Sequence, residues 1–301
     1  MNILIIKLNA TGDVVRTTPL LRRLQGRFTW ITAQNNLALL DNLSPNLRCL
    51  SWEDRDVARD ENYDLAINLE DELNCSAFLK EVRYKQLFGA YLNAQGVLTY
   101  TEDSRSWFDL SLISVWGKKK ADQLKLGNRR TYQEMIFDGL GLTFEGDSYI
   151  LPEGRATDLS GDVALAPVAG AVWPMKNWAY YTELKQELEN RGLKVNALPR
   201  RTSLLEHLSD VQNHRCLVGG DSLPMHFALG SAVPCVSLFN CTSPWEIYDY
   251  GIQTKIVSPL LSEFFYRRDF DPRATTAIHL SEVLEATLQT LKACEMAFSG
   301  V

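Results

Sequence analysis

Short apolar segments alternate with amphipathic helical patterns along this chain of 301 residues, and this alternation restricts the fold more than any other feature. Strands that alternate with helices pair as a parallel sheet, so the sequence predicts the α/β class. The predicted strands are residues 3–8, 28–33, 65–69, 162–167, 193–198, 216–218 and 234–239. The predicted helices are residues 20–25, 73–82, 125–142, 178–189, 203–211, 224–230 and 281–297.

The alternation is interrupted once, between residues 142 and 161, where glycine and proline replace the periodic pattern. The break predicts two Rossmann-like domains, 1–150 and 151–301, with the last helix packing either within the second domain or back on the first. Ligands of such folds bind at the carboxyl ends of the parallel strands. We therefore expect the two sheets to face one cleft, with each domain supplying half of a site.

Composition excludes several classes of protein. Hydrophobic residues make up 46% of the chain and charged residues 23%, with no continuous apolar run long enough for a membrane span and no basic leader before an apolar stretch. These features predict a soluble, cytoplasmic, globular protein. The six cysteines lack C-x-x-C spacing, so no metal site is expected, and the net charge of −6 argues against nucleic-acid binding.

A glycine-rich junction in the second half predicts an anion site. An apolar strand runs directly into a helical pattern through Val218-Gly219-Gly220-Asp221-Ser222-Leu223-Pro224-Met225-His226. Ser222 is expected to cap the helix, and the small glycines would let a ligand approach the main chain. Free N–H groups and the helix dipole favour a phosphate at such a terminus. An ordinary capped helix with His226 packed inside is the structural alternative.

The first strand ends in a second candidate loop, Asn9-Ala10-Thr11-Gly12-Asp13. It contains neither G-x-G-x-x-G nor the P-loop pattern, so a dinucleotide fingerprint and a nucleotide P-loop are both excluded. Asp13 is either a helix cap or first-turn acid, or a carboxylate held at the ligand-binding edge of the sheet.

Three segments together resemble glycosyltransferase family 9, the lipopolysaccharide heptosyltransferases. They are residues 7–21, beginning Lys7-Leu8-Asn9-Ala10-Thr11-Gly12-Asp13; residues 167–178, containing Trp173-Pro174-Met175-Lys176; and residues 220–244, containing Gly220-Asp221-Ser222 and Cys241-Thr242-Ser243-Pro244. Their order and spacing cover nearly the whole chain. The resemblance implies the GT-B fold and an inverting, metal-independent transfer of a sugar, typically from ADP-heptose, to a saccharide hydroxyl. It implies no cofactor besides this nucleotide-sugar substrate.

The resemblance also implies a role for individual residues. Asp13 would be the general base, and Lys176 would stabilise the leaving diphosphate. The donor and its phosphates would contact Gly220, Asp221, Ser222, His226 and Thr242. The saccharide or glycolipid acceptor would contact Thr11, Arg16, Arg129 and Arg130. An acceptor in the lipopolysaccharide core would place the protein at the cytoplasmic face of the inner membrane, with peripheral membrane contact.

Two departures from the family pattern leave the donor open. Leu223 and Asn240 stand where relatives commonly have glycine, which reduces close approach to the backbone. The alternatives are a transferase for another nucleotide sugar or for an acceptor outside lipopolysaccharide, an epimerase or hydrolase of nucleotide sugars, and a noncatalytic nucleotide-sugar-binding subunit.

Overall fold

The computed structural model describes residues 1–299, without the side chains of residues 294 and 296–299. The chain divides into two compact units, Met1–Pro152 and a second that begins at Glu153. Each unit is built on one sheet with helices on its faces. The first unit contains six strands in the order β3-β2-β1-β4-β5-β6, and the second contains five in the order β11-β10-β9-β7-β8.

In the first unit, five parallel strands are extended by an antiparallel edge strand, β6, which pairs with β5. The strands are β1 Asn2–Ile6, β2 Arg27–Thr32, β3 Leu47–Ser51, β4 Asn62–Asn68, β5 Arg83–Leu92 and β6 Leu98–Tyr100. The helices are α1 Thr11–Thr17, α2 Leu20–Arg23, α3 Leu37–Leu40, α4 Leu73–Phe78, α5 Arg105–Phe108, α6 Lys118–Gly127 and α7 Tyr132–Gly139. Short 3₁₀ turns occupy Gln34–Asn36, Arg55–Asp60, Leu79–Glu81 and Glu102–Ser104.

Both faces of this sheet are buried, which explains why β1 is continuously apolar rather than alternating. Ile3 and Ile5 pack with Val14 of α1 and Ile136 of α7, in one core cluster. The intervening residues of β1 point to the opposite face, where they pack in a second cluster with Phe78 of α4.

The second unit is a parallel sheet of β7 Gly161–Ala166, β8 Val195–Ala197, β9 His214–Gly220, β10 Cys235–Phe239 and β11 Gln253–Val257. Its helices are α8 Tyr181–Glu189, α9 Leu204–Gln212, α10 Leu223–Gly230, α11 Leu261–Phe264, α12 Pro272–Thr276 and α13 Leu280–Ser299, with a 3₁₀ turn at Pro174–Lys176. Helix α13 packs on the sheet of its own unit through Val283 and Leu291. Its packing on the first domain remains a prediction.

The helix predicted over residues 125–142 is wrong, because α6 ends at Gly127 and α7 begins only at Tyr132, with a short connection between them. Thr131 caps α7, since its side chain accepts a hydrogen bond from the Glu134 N–H while the Glu134 carboxylate accepts one from the Thr131 N–H. Strands β3, β5, β6 and β11 were not predicted. Three of them, β3, β6 and β11, lie at sheet edges, and the first residues of β5 are mostly exposed, so none carries a continuous apolar signal.

Candidate functional site

The first candidate cluster lies where β1 leads into α1. Ala10 adopts a left-handed backbone conformation with φ of 55°, and the Asp13 N–H donates to its carbonyl over 2.6 Å. Asp13 therefore lies in the first turn of α1, where the helix dipole favours a negative charge. Ala10 occupies the capping position, so Asp13 is not the cap, whereas the alternative prediction of a first-turn acid is confirmed.

Two buried cations flank the Asp13 carboxylate. Arg16 Nε lies 3.0 Å from Oδ1, and Lys7 Nζ lies 3.9 Å from Oδ2. The Asp13 side chain is 30% exposed, whereas those of Lys7 and Arg16 are each only 8% exposed. The carboxylate is thus the solvent-accessible end of a buried charge network.

Lys7 is held from the other side by Glu70, which follows the neighbouring strand β4. Glu70 Oε1 accepts hydrogen bonds from Lys7 Nζ at 2.6 Å and from the Leu8 and Asn9 N–H groups at 2.7 and 3.2 Å. Burial alone would lower the pKa of Lys7, but the charges of Glu70 and Asp13 outweigh burial and raise it. Lys7 therefore stays protonated. Sequence reasoning gave neither residue a role; the available signal was a lysine that ends an apolar run.

Arg16 is fixed by aromatic rings. Its guanidinium lies 4.1 Å from the ring centroid of Tyr132 on α7 and 5.3 Å from that of Trp107 on α5. The Tyr132 hydroxyl lies 2.7 Å from Thr17 Oγ1, and Thr17 donates to the Asp13 carbonyl over 2.6 Å. The predicted contact of Arg16 with the acceptor stays a prediction; in the structure, Arg16 is a buried partner of Asp13.

The other predicted acceptor residues lie in two places. Thr11 begins α1, and its hydroxyl donates to Asn36 Oδ1 over 2.8 Å, next to the Asp13 loop. Arg129 and Arg130 are exposed in the connection between α6 and α7. There Arg129 donates to the Leu126 carbonyl, and Arg130 pairs with Asp138 at 3.0 Å. The partners of both arginines are therefore local in sequence, and neither of these contacts involves the Asp13 loop.

The second cluster lies at the carboxyl ends of three adjacent strands, β7, β9 and β10. Lys176 Nζ donates to the Asp221 carbonyl over 2.7 Å and lies 3.1 Å from Asp221 Oδ2. Burial would raise the pKa of Asp221, but Lys176, His226 and the Thr242 hydroxyl outweigh it and lower the pKa to about 2. Lys176 and the ionised Asp221 therefore form a stable ion pair, with His226 and Thr242 beside it.

The structure shows a packing role for the two glycines. A Cβ on Gly219 would lie 2.9 Å from the Ala166 Cβ, and one on Gly220 would lie 3.0 Å from the Lys176 carbonyl oxygen. Both positions therefore have a packing reason to lack a side chain; the approach of a ligand to this main chain stays a prediction. At Gly220, the missing side chain lets the Lys176 turn approach β9.

Ser222 and Asn240 also differ from expectation. Ser222 occupies the capping position of α10, but its hydroxyl donates to the Gly220 carbonyl over 3.3 Å and does not cap the helix. Asn240 is buried and donates from Nδ2 to the Met175 carbonyl over 3.0 Å. The residue that departs from the family pattern thus ties the loop after β10 to the turn that carries Lys176.

Two other kinds of site, a metal cluster and a membrane span, have no counterpart among the described residues. In the part of the chain that the structure describes, no group of three or more His, Cys, Asp or Glu side chains is arranged to hold a metal ion. Within the same residues, no helix has both the length and the apolar character needed to cross a membrane.

Solved structures with the same fold include glycosyltransferases. The family 9 glycosyltransferase from Veillonella parvula DSM 2008 matches 97% of this chain and 97% of its own, with 16% identity and a TM-score of 0.67. The E. coli heptosyltransferase WaaC with ADP matches 96% and 100%, with 16% identity and a TM-score of 0.63. The iron-containing dodecameric glycosyltransferase TibC of enterotoxigenic E. coli matches 97% and 76%, with 13% identity and a TM-score of 0.61.

No protein-family model and no curated protein sequence matches the chain. The likeness is therefore one of structure, and it extends over nearly the full length of both the Veillonella protein and WaaC. The chain has the two-sheet α/β architecture of the family 9 glycosyltransferases, which is the GT-B fold.

Proposed function

We propose that this chain is an inverting family 9 glycosyltransferase that moves a sugar from a nucleotide donor to a saccharide hydroxyl, with ADP-heptose as donor and lipopolysaccharide core as acceptor. The observation that carries the proposal is the environment of Asp13. A partly exposed carboxylate stands in the first turn of α1, flanked by Arg16 and by the buried Lys7. This arrangement keeps the carboxylate in one place while leaving one side of it open to a substrate.

In the proposed reaction, Asp13 accepts the proton of the acceptor hydroxyl as its oxygen attacks the anomeric carbon. The bond between that carbon and the diphosphate oxygen breaks, and its electron pair leaves with the nucleoside diphosphate. Attack opposite to the leaving group inverts the anomeric configuration. A carboxylate that is already positioned needs little reorganisation during this step.

Lys176 is the proposed stabiliser of the leaving diphosphate. Its ammonium group has a defined position beside the N-terminal end of α10, where N–H groups and the helix dipole also favour phosphate. Gly220, Asp221, Ser222, His226 and Thr242 form the rest of the proposed donor site. The reaction as proposed uses no metal ion, because Lys176 and the helix terminus supply the positive charge.

A transferase with another nucleotide-sugar donor is the second candidate. Asn240 favours it, because its side chain occupies buried space beside the Lys176 turn where relatives commonly have glycine. We propose the same mechanism for this case, with a different sugar or base. In either case we propose action at the cytoplasmic face of the inner membrane.

Calorimetric titration of the purified protein with ADP, GDP, UDP and CDP tests the proposal. Selective ADP binding is expected, followed by release of ADP from ADP-heptose only when a lipopolysaccharide acceptor is added. Preference for another base would favour the second candidate. Turnover of the donor without acceptor would indicate an epimerase or hydrolase, and the absence of binding to all four nucleotides would contradict both transferase proposals.

A further inference from the structure

An unusually apolar surface segment lies between α5 and α6. Leu112, Val115 and Trp116 are 62%, 58% and 54% exposed. Among the side chains that the structure describes, no other stretch of five residues carries three large apolar groups this exposed. Single exposed apolar residues are ordinary, but a cluster of them indicates contact with another surface.

Three consecutive lysines follow this cluster directly. Lys118, Lys119 and Lys120 are all exposed at the start of α6, although Lys118 also pairs with Asp122. The whole chain has a net charge of −6, so this basic cluster stands out from the acidic average. Lysines beside exposed tryptophan and aliphatic side chains combine attraction to anionic headgroups with insertion into the acyl boundary.

The outward direction of these side chains is set by the packing of their neighbours. Ile113 packs into a core cluster with Tyr100 and Phe108, whereas Leu112 on one side of it faces solvent. The Val115 N–H donates to the Tyr100 hydroxyl over 3.0 Å, which anchors the segment to β6. These two local anchors hold the loop with its apolar side chains directed to solvent.

Helix α5 connects this segment to the candidate base. The Arg105 guanidinium lies 5.7 Å from the Trp116 ring centroid, and Trp107, two residues along α5, packs on Arg16. Arg16 in turn pairs with Asp13. A surface that contacts residues 112–120 would therefore lie on the same unit as Asp13, joined to it through α5.

We propose that residues 112–120 bind the surface of a bilayer that contains anionic phospholipids. Leu112, Val115 and Trp116 insert at the headgroup boundary, and Lys118, Lys119 and Lys120 contact lipid phosphates. This inference rests on the proposed function only for the reason why the protein would meet a membrane. Binding of residues 112–120 to anionic lipid does not require a particular donor. A lipid-anchored acceptor would then reach the unit that carries Asp13 by diffusion in the plane of the membrane.

Co-sedimentation of the full-length protein with lipid vesicles tests this proposal. The protein is expected to bind vesicles of phosphatidylcholine and phosphatidylglycerol, to bind pure phosphatidylcholine much more weakly, and to dissociate at high salt. Replacing the three lysines together by Lys118→Gln, Lys119→Gln and Lys120→Gln should weaken binding by about tenfold to a hundredfold. Trp116→Ser should weaken it severalfold and remove the blue shift of fluorescence on binding.

Matched variants control for charge and apolarity. A triple variant with Lys80→Gln, Lys185→Gln and Lys292→Gln changes the net charge equally at other positions, and Phe270→Ser removes an apolar side chain that is 61% exposed. Both should bind vesicles like the wild type. Equal losses in these controls, equal binding to neutral vesicles, or no binding by the wild type would overturn the proposal.

Two further outcomes separate this inference from the proposed function. Binding only to vesicles that contain lipopolysaccharide would overturn it in favour of direct capture of the glycolipid. Calorimetry with ADP on the same preparations reports on the donor site independently. A protein that binds anionic vesicles but no nucleotide would retain this inference and contradict the proposed function, and the converse result would do the opposite.

Discussion

Lys7 Nζ lies 2.6 Å from Glu70 Oε1, and the side chains of the two residues are only 8% and 4% exposed. The pair joins the ends of the adjacent strands β1 and β4 and lies next to Asp13. Its position explains how a lysine can be buried at the end of a hydrophobic strand. The Glu70 carboxylate compensates the charge and also fixes the backbone at Leu8 and Asn9.

Glu70→Gln is expected to lower the free energy of unfolding by about 3 kcal/mol, because it leaves the Lys7 ammonium buried without its carboxylate. The double variant with Lys7→Met should recover part of this loss, since no uncompensated charge remains. Urea unfolding measures both, and Glu72→Gln, at an exposed neighbouring acid, should have little effect. Equal losses in the single and double variants would show that the ion pair is not the cause.

Asp13→Asn is expected to lower turnover by a factor of about 10²–10⁴, the range for loss of a general base. Nucleotide affinity should stay within a factor of about two, because the proposed donor site belongs to the other unit. The measurement combines rates of ADP release with calorimetry on the same preparation. Turnover close to that of the wild type would remove Asp13 from the proposed mechanism.

Arg16→Lys is expected to lower turnover about tenfold and the free energy of unfolding by about 1 kcal/mol, because lysine lacks the planar group that packs on Tyr132 and Trp107. The charge beside Asp13 is retained, so the variant tests position rather than charge. Arg155→Lys, at an exposed arginine with no proposed role, is the matched control. Loss of stability with unchanged turnover would limit Arg16 to a structural role.

Lys176→Met is expected to weaken binding of the nucleoside diphosphate by about 1.5–3 kcal/mol, the value of a charged hydrogen bond. Titration calorimetry with ADP measures the change, or with the nucleotide that binds if it is not ADP. Lys185→Met, on the partly exposed surface of α8, provides the comparison. Unchanged affinity in the Lys176 variant would exclude its contact with the diphosphate.

Asp221 is expected to make the free energy of unfolding depend on pH in the acidic range. The pKa of Asp221 is about 2 in the folded protein, below the ordinary value of 3.8. Its stabilising contribution is therefore complete at pH values above 3.8 and is lost as the pH falls through the folded-state pKa. The contribution should shrink by about 1 kcal/mol between pH 5 and pH 3. Urea unfolding at pH 5 and pH 3 should show that the free energy of unfolding decreases less for Asp221→Asn than for the wild type, by about the same 1 kcal/mol. The same decrease in both proteins would contradict the assignment.

The α/β class and most buried strands followed from the sequence, because a strand covered on both faces is continuously apolar, as in β1 and β9. Edge strands gave no such signal. The antiparallel strand β6 depends on pairing with β5, and pairing between segments leaves no local pattern. The helix predicted over residues 125–142 was wrong because it joined the apolar residues Leu126 and Tyr132 across a polar connection that ends in the Thr131 cap.

Residue types at strand ends located Asp13 and Asp221, and the family resemblance located Lys176, but their partners depend on which strands are neighbours. Glu70 meets Lys7 only because β4 lies beside β1, and Tyr132 reaches Arg16 only through the packing of α7. The glycines at 219 and 220 were predicted to let a ligand approach the main chain, which stays a prediction, and the structure adds a packing reason for both. Sequence could indicate that small residues are needed there, but only the structure shows that the Ala166 side chain and the Lys176 carbonyl occupy the space.

The double contact between Lys176 and Asp221 means that the second unit already contains an anion at the place proposed for phosphate. Under the proposed function, a phosphate at Lys176 would therefore compete with an internal carboxylate that is close by and ionised. A free nucleoside has no anionic group that could compete with the Asp221 carboxylate, and a weakly charged ligand would compete poorly. In the proposed donor site, such a lysine would discriminate between ligands by their charge, independently of contacts with base or sugar.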